Sequence, residues 1–260
     1  MTRKKIAAGN WKMFKTPDET KSFFVEFAPL FSGSQAPASA IACPEVVFFI
    51  PAYDFAAAVD AVKAYAEKPK IGAQNIFHER EGAFTGELSP IGVKSAGATY
   101  VLIGHSERRS LFFESDEFAA KKVRAAVECG LTPMLCVGET LKEREAGSML
   151  DVVSRQIIAG LSQVNPDARF VIAYEPVWAI GTGKVATNEQ AEEAHAAIRR
   201  VLEGIFSEAK AEATSILYGG SVKPDNAGAL AQQPNIDGFL VGGASLKARD
   251  FASIVEKLNH

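Results

Sequence analysis

Eight short apolar runs, separated by helix-like segments, limit what this chain can fold into. KIAAGN, ASAIAC, KIGAQN and TYVLIG end at Asn10, Cys43, Asn75 and Gly104, and TPMLCVG, FVIAYE, TSILYG and IDGFLVG continue the series. Most are apolar at consecutive rather than alternate positions, as expected of parallel strands covered on both faces. Helix starts lie between them. Thr16-Pro-Asp-Glu19 reads as a capping box with proline at the first helical position, and Ser89-Pro90 and Ser115-Asp-Glu117 open two more helices. Thr187-Asn-Glu-Gln190 precedes AEEAHAAIRRVLEGIF, whose apolar residues recur at helical spacing. Eight βα units in 260 residues, with no linker or composition break, predict one domain over residues 1–260. Its expected architecture is α/β, a (β/α)8 barrel of eight parallel strands with outer helices. A doubly wound open sheet is the competing fold. It expects GxGxxG after the first strand, where this chain has GNWKMF.

Composition narrows the function. A net charge of −3 gives no reason to expect a nucleic-acid partner, while a small anionic substrate stays open because local charge can differ from the total. Cys43, Cys129 and Cys136 lack metal-like spacing and sit in apolar stretches, which predicts reduced, packed thiols and a cytoplasmic protein. Asn10, Trp11 and Lys12 interrupt the first apolar run too early for a signal peptide. No later run reaches the roughly 18 apolar residues of a membrane helix, so no membrane association is expected.

In a barrel of this kind, chemistry belongs at the C-terminal strand ends. Those ends carry Asn10 and Lys12, Gln74 and Asn75, His105 and Glu107, Cys136 and Glu139, and Glu175, then Ser221 and the Gly242-Gly243 pair. Ionisable groups therefore collect where the fold expects a site. The GTGK ending at Lys184 resembles a nucleotide phosphate loop. That motif, however, would place glycine at Trp178 and a hydroxyl at Val185, so nucleotide binding is rejected. Gly219-Gly220-Ser221 and Gly242-Gly243 are either tight turns or a phosphate cradle of backbone amides, at a location where barrels repeatedly bind phosphate.

His105 sits between an apolar strand and the helix-like SERRSLF, and a helix N-terminus there favours a neutral ring. His78, His195 and His260 read as structural or surface residues. Lys12 would supply a fixed positive charge, held by Glu107. Glu175 is either a general base or an ion-paired structural glutamate. As a base, it would have its pKa raised by burial beneath Val177, an exposed Trp178 and Ile180. Base, imidazole, lysine and cradle together favour proton abstraction beside a carbonyl in a small phosphorylated compound. No cofactor motif and no metal-ligand cluster is seen.

GNWKM, GAFTGE, IGHSERR, CVGE, AYEPVWAIGTGK and YGGSV occur in this order from end to end of the chain. In those blocks the sequence resembles the triosephosphate isomerase family. The resemblance implies interconversion of dihydroxyacetone phosphate and glyceraldehyde 3-phosphate without a cofactor. It implies a proton shuttle at Glu175, a neutral His105 on the carbonyl and Lys12 beside Asn10 against negative charge. This family is itself the standard example of a glutamate base paired with a neutral histidine under a closing loop. Backbone amides of Gly181, Ser221, Gly242 and Gly243 would face the phosphate. Pro176, Val177 and Trp178 would be a stiff hinge, Ala179, Ile180, Gly181, Thr182 and Gly183 a lid tip, and Lys184 the start of a second hinge. GAFTGE implies a homodimer in which Thr85 reaches the partner's site. Two departures from the family pattern are Phe14, where a small or polar residue is usual, and the Ser-Leu-Phe-Phe113 stretch, where glycine is usual. The alternatives are a catalytically silent barrel that binds a phosphorylated metabolite or a protein partner, and another sugar-phosphate barrel enzyme. The second would want a Schiff-base lysine or a metal cluster, and neither is evident.

Overall fold

The computed structural model describes residues 3–33, 43–180 and 185–259. Eight strands run β1 (Ile6–Asn10), β2 (Glu45–Ile50), β3 (Lys70–Ala73), β4 (Tyr100–Ile103), β5 (Thr132–Val137), β6 (Val171–Tyr174), β7 (Ile216–Tyr218) and β8 (Gly238–Val241). The helices among the described residues are α1 (Pro17–Gly33), α2 (Phe55–Ala61), α3 (Pro90–Ser95), α4 (Ser106–Leu111), α5 (Asp116–Glu128) and α6 (Leu141–Glu145). They continue as α7 (Met149–Leu161), α8 (Asn188–Ile205), α9 (Glu208–Ala213), α10 (Pro224–Ala231) and α11 (Ala248–Lys257). Each strand is parallel to the next, and β1 also pairs with β8, so the sheet closes into the expected barrel.

The strand residues alternate between two cores. Ala8, Phe49, Leu102 and Ala173 point into the barrel, whereas Ala7, Phe48, Ile103 and Ile172 face the surrounding helices. Both faces are buried, which accounts for the consecutive apolar runs in the sequence. Each fully buried aromatic or branched side chain contributes about 1.5–3 kcal/mol. Helix starts follow the sequence reading. Thr16 and Glu19 exchange capping-box bonds, as do Thr187 and Gln190. Ser89 and Ser115 cap α3 and α5 through their side-chain oxygens.

The second strand differs from expectation. ASAIAC was expected to be a strand ending at Cys43; residues 38–42 lie outside those described, and Cys43 precedes the strand. β2 is instead the EVVFFI segment, in register from Ile6↔Glu45 to Asn10↔Phe49. Cys43 is also exposed and Cys129 half-buried, so only Cys136 is the packed thiol expected of all three. No described helix is long and apolar enough to cross a membrane.

Directly after β1, Trp11 is fully buried against Phe23, Phe24 and Phe48, with ring centroids 4.8–5.7 Å apart. Its indole N–H donates to the Ser245 carbonyl at 3.1 Å. That bond ties the end of β1 to the turn after β8, placing Lys12 beside Gly242.

Candidate active site

At the end of β4 the chain turns at Gly104 and enters α4, with His105 as its N-cap. His105 Nδ1 accepts the Glu107 amide N–H at 3.2 Å. The Ser106 amide donates to Glu175 Oε2 at 3.0 Å, and His105 Nε2 lies 3.0 Å from Glu175 Oε1. Glu175 is carried one residue past β6, and its own N–H donates to the Val137 carbonyl at 2.7 Å. Only 3% of Glu175 and 5% of His105 is exposed.

The hydrogen bonds fix the histidine tautomer. An amide donating to Nδ1 leaves the ring's proton on Nε2, facing the Glu175 carboxylate. Burial disfavours a charged ring, but the adjacent Glu175 carboxylate outweighs it and lifts the His105 pKa above its ordinary value. For Glu175, burial alone acts as the sequence reading expected, raising the pKa. The expectation fails because His105, the Ser106 amide and Lys12 together hold the carboxylate below its ordinary value. In this arrangement the carboxylate is a stabilised anion rather than an activated base.

Lys12 has a left-handed backbone, φ 51°, and its carbonyl accepts from Gln74 Nε2 at 2.7 Å. Asn10 Oδ1 accepts the Lys12 amide at 3.0 Å, and Lys12 Nζ pairs with Glu107 Oε1 at 2.5 Å. The expected Lys12–Glu107 pair is therefore present.

Asn10, Lys12, His105 and Glu175 open onto one cavity of about 720 Å³, whose far wall is Gly219–Ser221 and Gly242-Gly243. Gly219 is buried against Glu175: a Cβ there would stand 2.9 Å from Glu175 Cγ and 3.2 Å from the Tyr174 carbonyl. Gly243 begins a short 3-10 turn, Gly243–Leu246, and space for a Cβ there is open. An adjoining cavity of about 390 Å³ is lined by Lys12, Gln74, Glu107 and the exposed Met13 and Phe112. Thr85 lies on an exposed turn, with Gly86 and Glu87 reaching that second cavity. Among the described residues no cluster of His, Cys, Asp and Glu could hold a metal ion.

Of the residues read as a lid, Pro176 is buried, Val177–Ala179 form a 3-10 turn and Ile180 lines the main cavity. Gly181, Thr182, Gly183 and Lys184 lie outside the described residues. Trp178 is half-buried rather than exposed, because its indole N–H donates to Glu139 Oε1 at 2.9 Å. The sequence places Glu139 at a strand end without indicating its partner, and nothing in it marks the Ser106 amide. A backbone donor has no residue signature. The CVGE block was the available signal for Glu139.

Comparison with known proteins agrees with this geometry. A family model described as triosephosphate isomerase matches residues 5–258. A protein named triosephosphate isomerase from Citrifermentans bemidjiense is 49% identical over 255 residues, 97% of this chain and 98% of its own. One so named from Solibacter usitatus is 52% identical over 256 residues, 97% and 99% of the two chains. One from Chlamydia felis is 47% identical over the full length of both.

Proposed function

The chain belongs to the triosephosphate isomerase family, and from that premise we propose how its own residues carry the reaction. It is an isomerase that interconverts dihydroxyacetone phosphate and glyceraldehyde 3-phosphate by proton transfer through an enediolate. The single observation that carries our assignment of roles is the buried Glu175–His105 contact, opening on a cavity walled by the Gly219–Ser221 and Gly242-Gly243 backbone.

The substrate phosphate takes the amides of Ser221, Gly242 and Gly243, joined by Gly181 of the loop, with residues 176–184 acting as the lid. Binding displaces Glu175 from His105 and Ser106. Its carboxylate loses the donors that hold its pKa down, while remaining buried, and becomes a stronger base. Glu175 then takes a proton from the carbon beside the carbonyl. The C–H electron pair becomes the C=C bond of the enediolate, and the carbonyl π pair moves onto oxygen. His105 Nε2–H and Lys12 Nζ, with Asn10 beside it, meet that oxygen, while Glu107 holds Lys12. His105 passes a proton between the two oxygens. Glu175 returns its proton to the neighbouring carbon, so no net proton is consumed.

The same reading takes residues 1–260 as one domain, working in the cytoplasm in glycolysis and gluconeogenesis. It takes the active form as a homodimer, with Thr85 reaching the partner's site. Support for the dimer comes from Met13, Phe14, Leu111, Phe112 and Phe113, which are 56–87% exposed. Met13 and Phe112 line the same second cavity, beside the exposed Thr85 turn, and contiguous apolar exposure marks an association surface. Phe14 and Phe113, the two departures from the family pattern, are among these exposed residues. No observation favours a silent barrel.

Turnover of glyceraldehyde 3-phosphate by the wild type and by Glu175→Gln tests the assignment. The variant is expected to lose about 10²–10⁴-fold in kcat, as for removal of a general base. Comparable rates would remove Glu175 from that role.

A further inference from the structure

Arg109 lies on α4, one turn beyond the cap formed by His105. Its Nε donates to the Gly104 carbonyl at 2.8 Å, and its Nη2 to the Cys136 carbonyl at 3.3 Å. Nη1 meets Asp116 Oδ1 at 2.5 Å, and the other Asp116 oxygen accepts from Arg155. The guanidinium thus joins the ends of β4 and β5 and is oriented by a carboxylate that is 7% exposed at the start of α5. Neither Arg109 nor Asp116 is among the residues lining the substrate cavity.

The carbonyl that Arg109 grips belongs to the peptide joining Gly104 to His105. Gly104 is left-handed, φ 69°, and a Cβ there would stand 2.9 Å from Arg109 Nη2 and 3.3 Å from the Cys136 carbonyl. The turn and the guanidinium occupy one shared space. Fixing that peptide plane fixes the direction in which the His105 side chain leaves the backbone. The next peptide plane, which carries the Ser106 N–H, is held from its other side, since the His105 carbonyl accepts the Arg108 and Arg109 amides at 2.8 and 3.1 Å. His105 Nε2 and the Ser106 amide are the donors that meet Glu175.

We propose that Arg109, oriented by Asp116, is a positioning residue that sets the Gly104–His105 peptide and so aims the His105 ring at the reacting centre. This inference rests on the isomerase reading of the site. A planar fork is needed, because the two carbonyls and the carboxylate approach different nitrogens. Lysine keeps the charge but cannot reproduce three fixed directions.

The test compares wild type with Arg109→Lys, Arg109→Met and Asp116→Asn. The readouts are kcat and KM for glyceraldehyde 3-phosphate, the melting temperature, and the imidazole 15N shifts of His105. Misaiming the histidine should lower kcat about 10²-fold in Arg109→Met. KM should change little, and the His105 nitrogen shifts should move. Arg109→Lys and Asp116→Asn should show smaller losses in the same direction, and Arg109→Lys carries the test if the Met variant does not fold. A strut that only joins strand ends would lower the melting temperature and leave turnover per folded molecule and the nitrogen shifts unchanged. That result in Arg109→Lys overturns the proposal. Should wild type itself fail to turn over the substrate, the isomerase reading falls, while the His105 shifts still decide whether Arg109 positions the ring.

Discussion

Trp178 donates its indole N–H to Glu139 at 2.9 Å, and that carboxylate is wholly buried. The Tyr174 hydroxyl donates to it as well, at 3.0 Å, and Arg144 stands 3.8 Å away. Tyr174 ends β6 and Trp178 follows Glu175 by three residues, so one carboxylate from the end of β5 holds the chain on both sides of Glu175. The stiffness expected of Pro176-Val177-Trp178 thus has a second source beyond proline.

Replacing Trp178 with Phe keeps a ring and removes the donor. The Glu139 carboxylate, whose burial already lifts its pKa, is left with less compensation. A stability loss of about 1–3 kcal/mol is expected in urea unfolding, the cost of an under-satisfied buried acceptor. An unchanged midpoint would mean that the indole bond adds nothing to the fold.

The Glu175–His105 pair should leave a mark on stability against pH. Glu175 has a folded pKa below its ordinary 4.5, so its contribution is present above pH 4.5 and is lost as pH falls through the folded value. His105 has a folded pKa above its ordinary 6.5, so its contribution is complete below pH 6.5 and is lost as pH rises through the folded value. The unfolding free energy of wild type minus that of Glu175→Gln should therefore be greatest between those two limits and decline on both sides. In the variant the His105 pKa should fall, since burial and Lys12 are then opposed only by Glu107, and an NMR titration of the ring reads this directly. A difference that is flat with pH would show that the two groups do not interact in solution.

What could be read from the sequence was local. Helix caps at Thr16, Ser89, Ser115 and Thr187 depend on residues three apart, and all four were legible. Strand β2 was not, because ASAIAC and EVVFFI are both apolar and lie almost end to end. What makes EVVFFI the strand is its pairing with β1 in the closed barrel, a contact some 39 residues distant in sequence. Electrostatics failed for the same reason. Glu175 was read from its immediate neighbours as a carboxylate raised by burial. The donors that reverse the shift come from His105 and Ser106, about 70 residues earlier. The chemistry-bearing side chains themselves were legible, since eight parallel strands leave their C-terminal ends on one rim.

Two glycines on the cavity wall should fail in different ways. At Gly219 an added methyl would meet Glu175 Cγ at 2.9 Å and the Tyr174 carbonyl at 3.2 Å. Strand backbone cannot yield easily there, so the base gives way. Gly219→Ala should lower kcat about tenfold or more, as expected when a reacting group is displaced by a fraction of an ångström. At Gly243 nothing lies within 4 Å of an added methyl, so the fold tolerates it. The methyl would instead occupy cavity space beside the amides assigned to the phosphate. Gly243→Ala should therefore raise KM more than it lowers kcat and leave the melting temperature near wild type. Steady-state kinetics on both variants decides the matter. Equal changes in kcat and KM at the two positions would mean that Gly219 does not hold the base and that Gly243 does not face the phosphate.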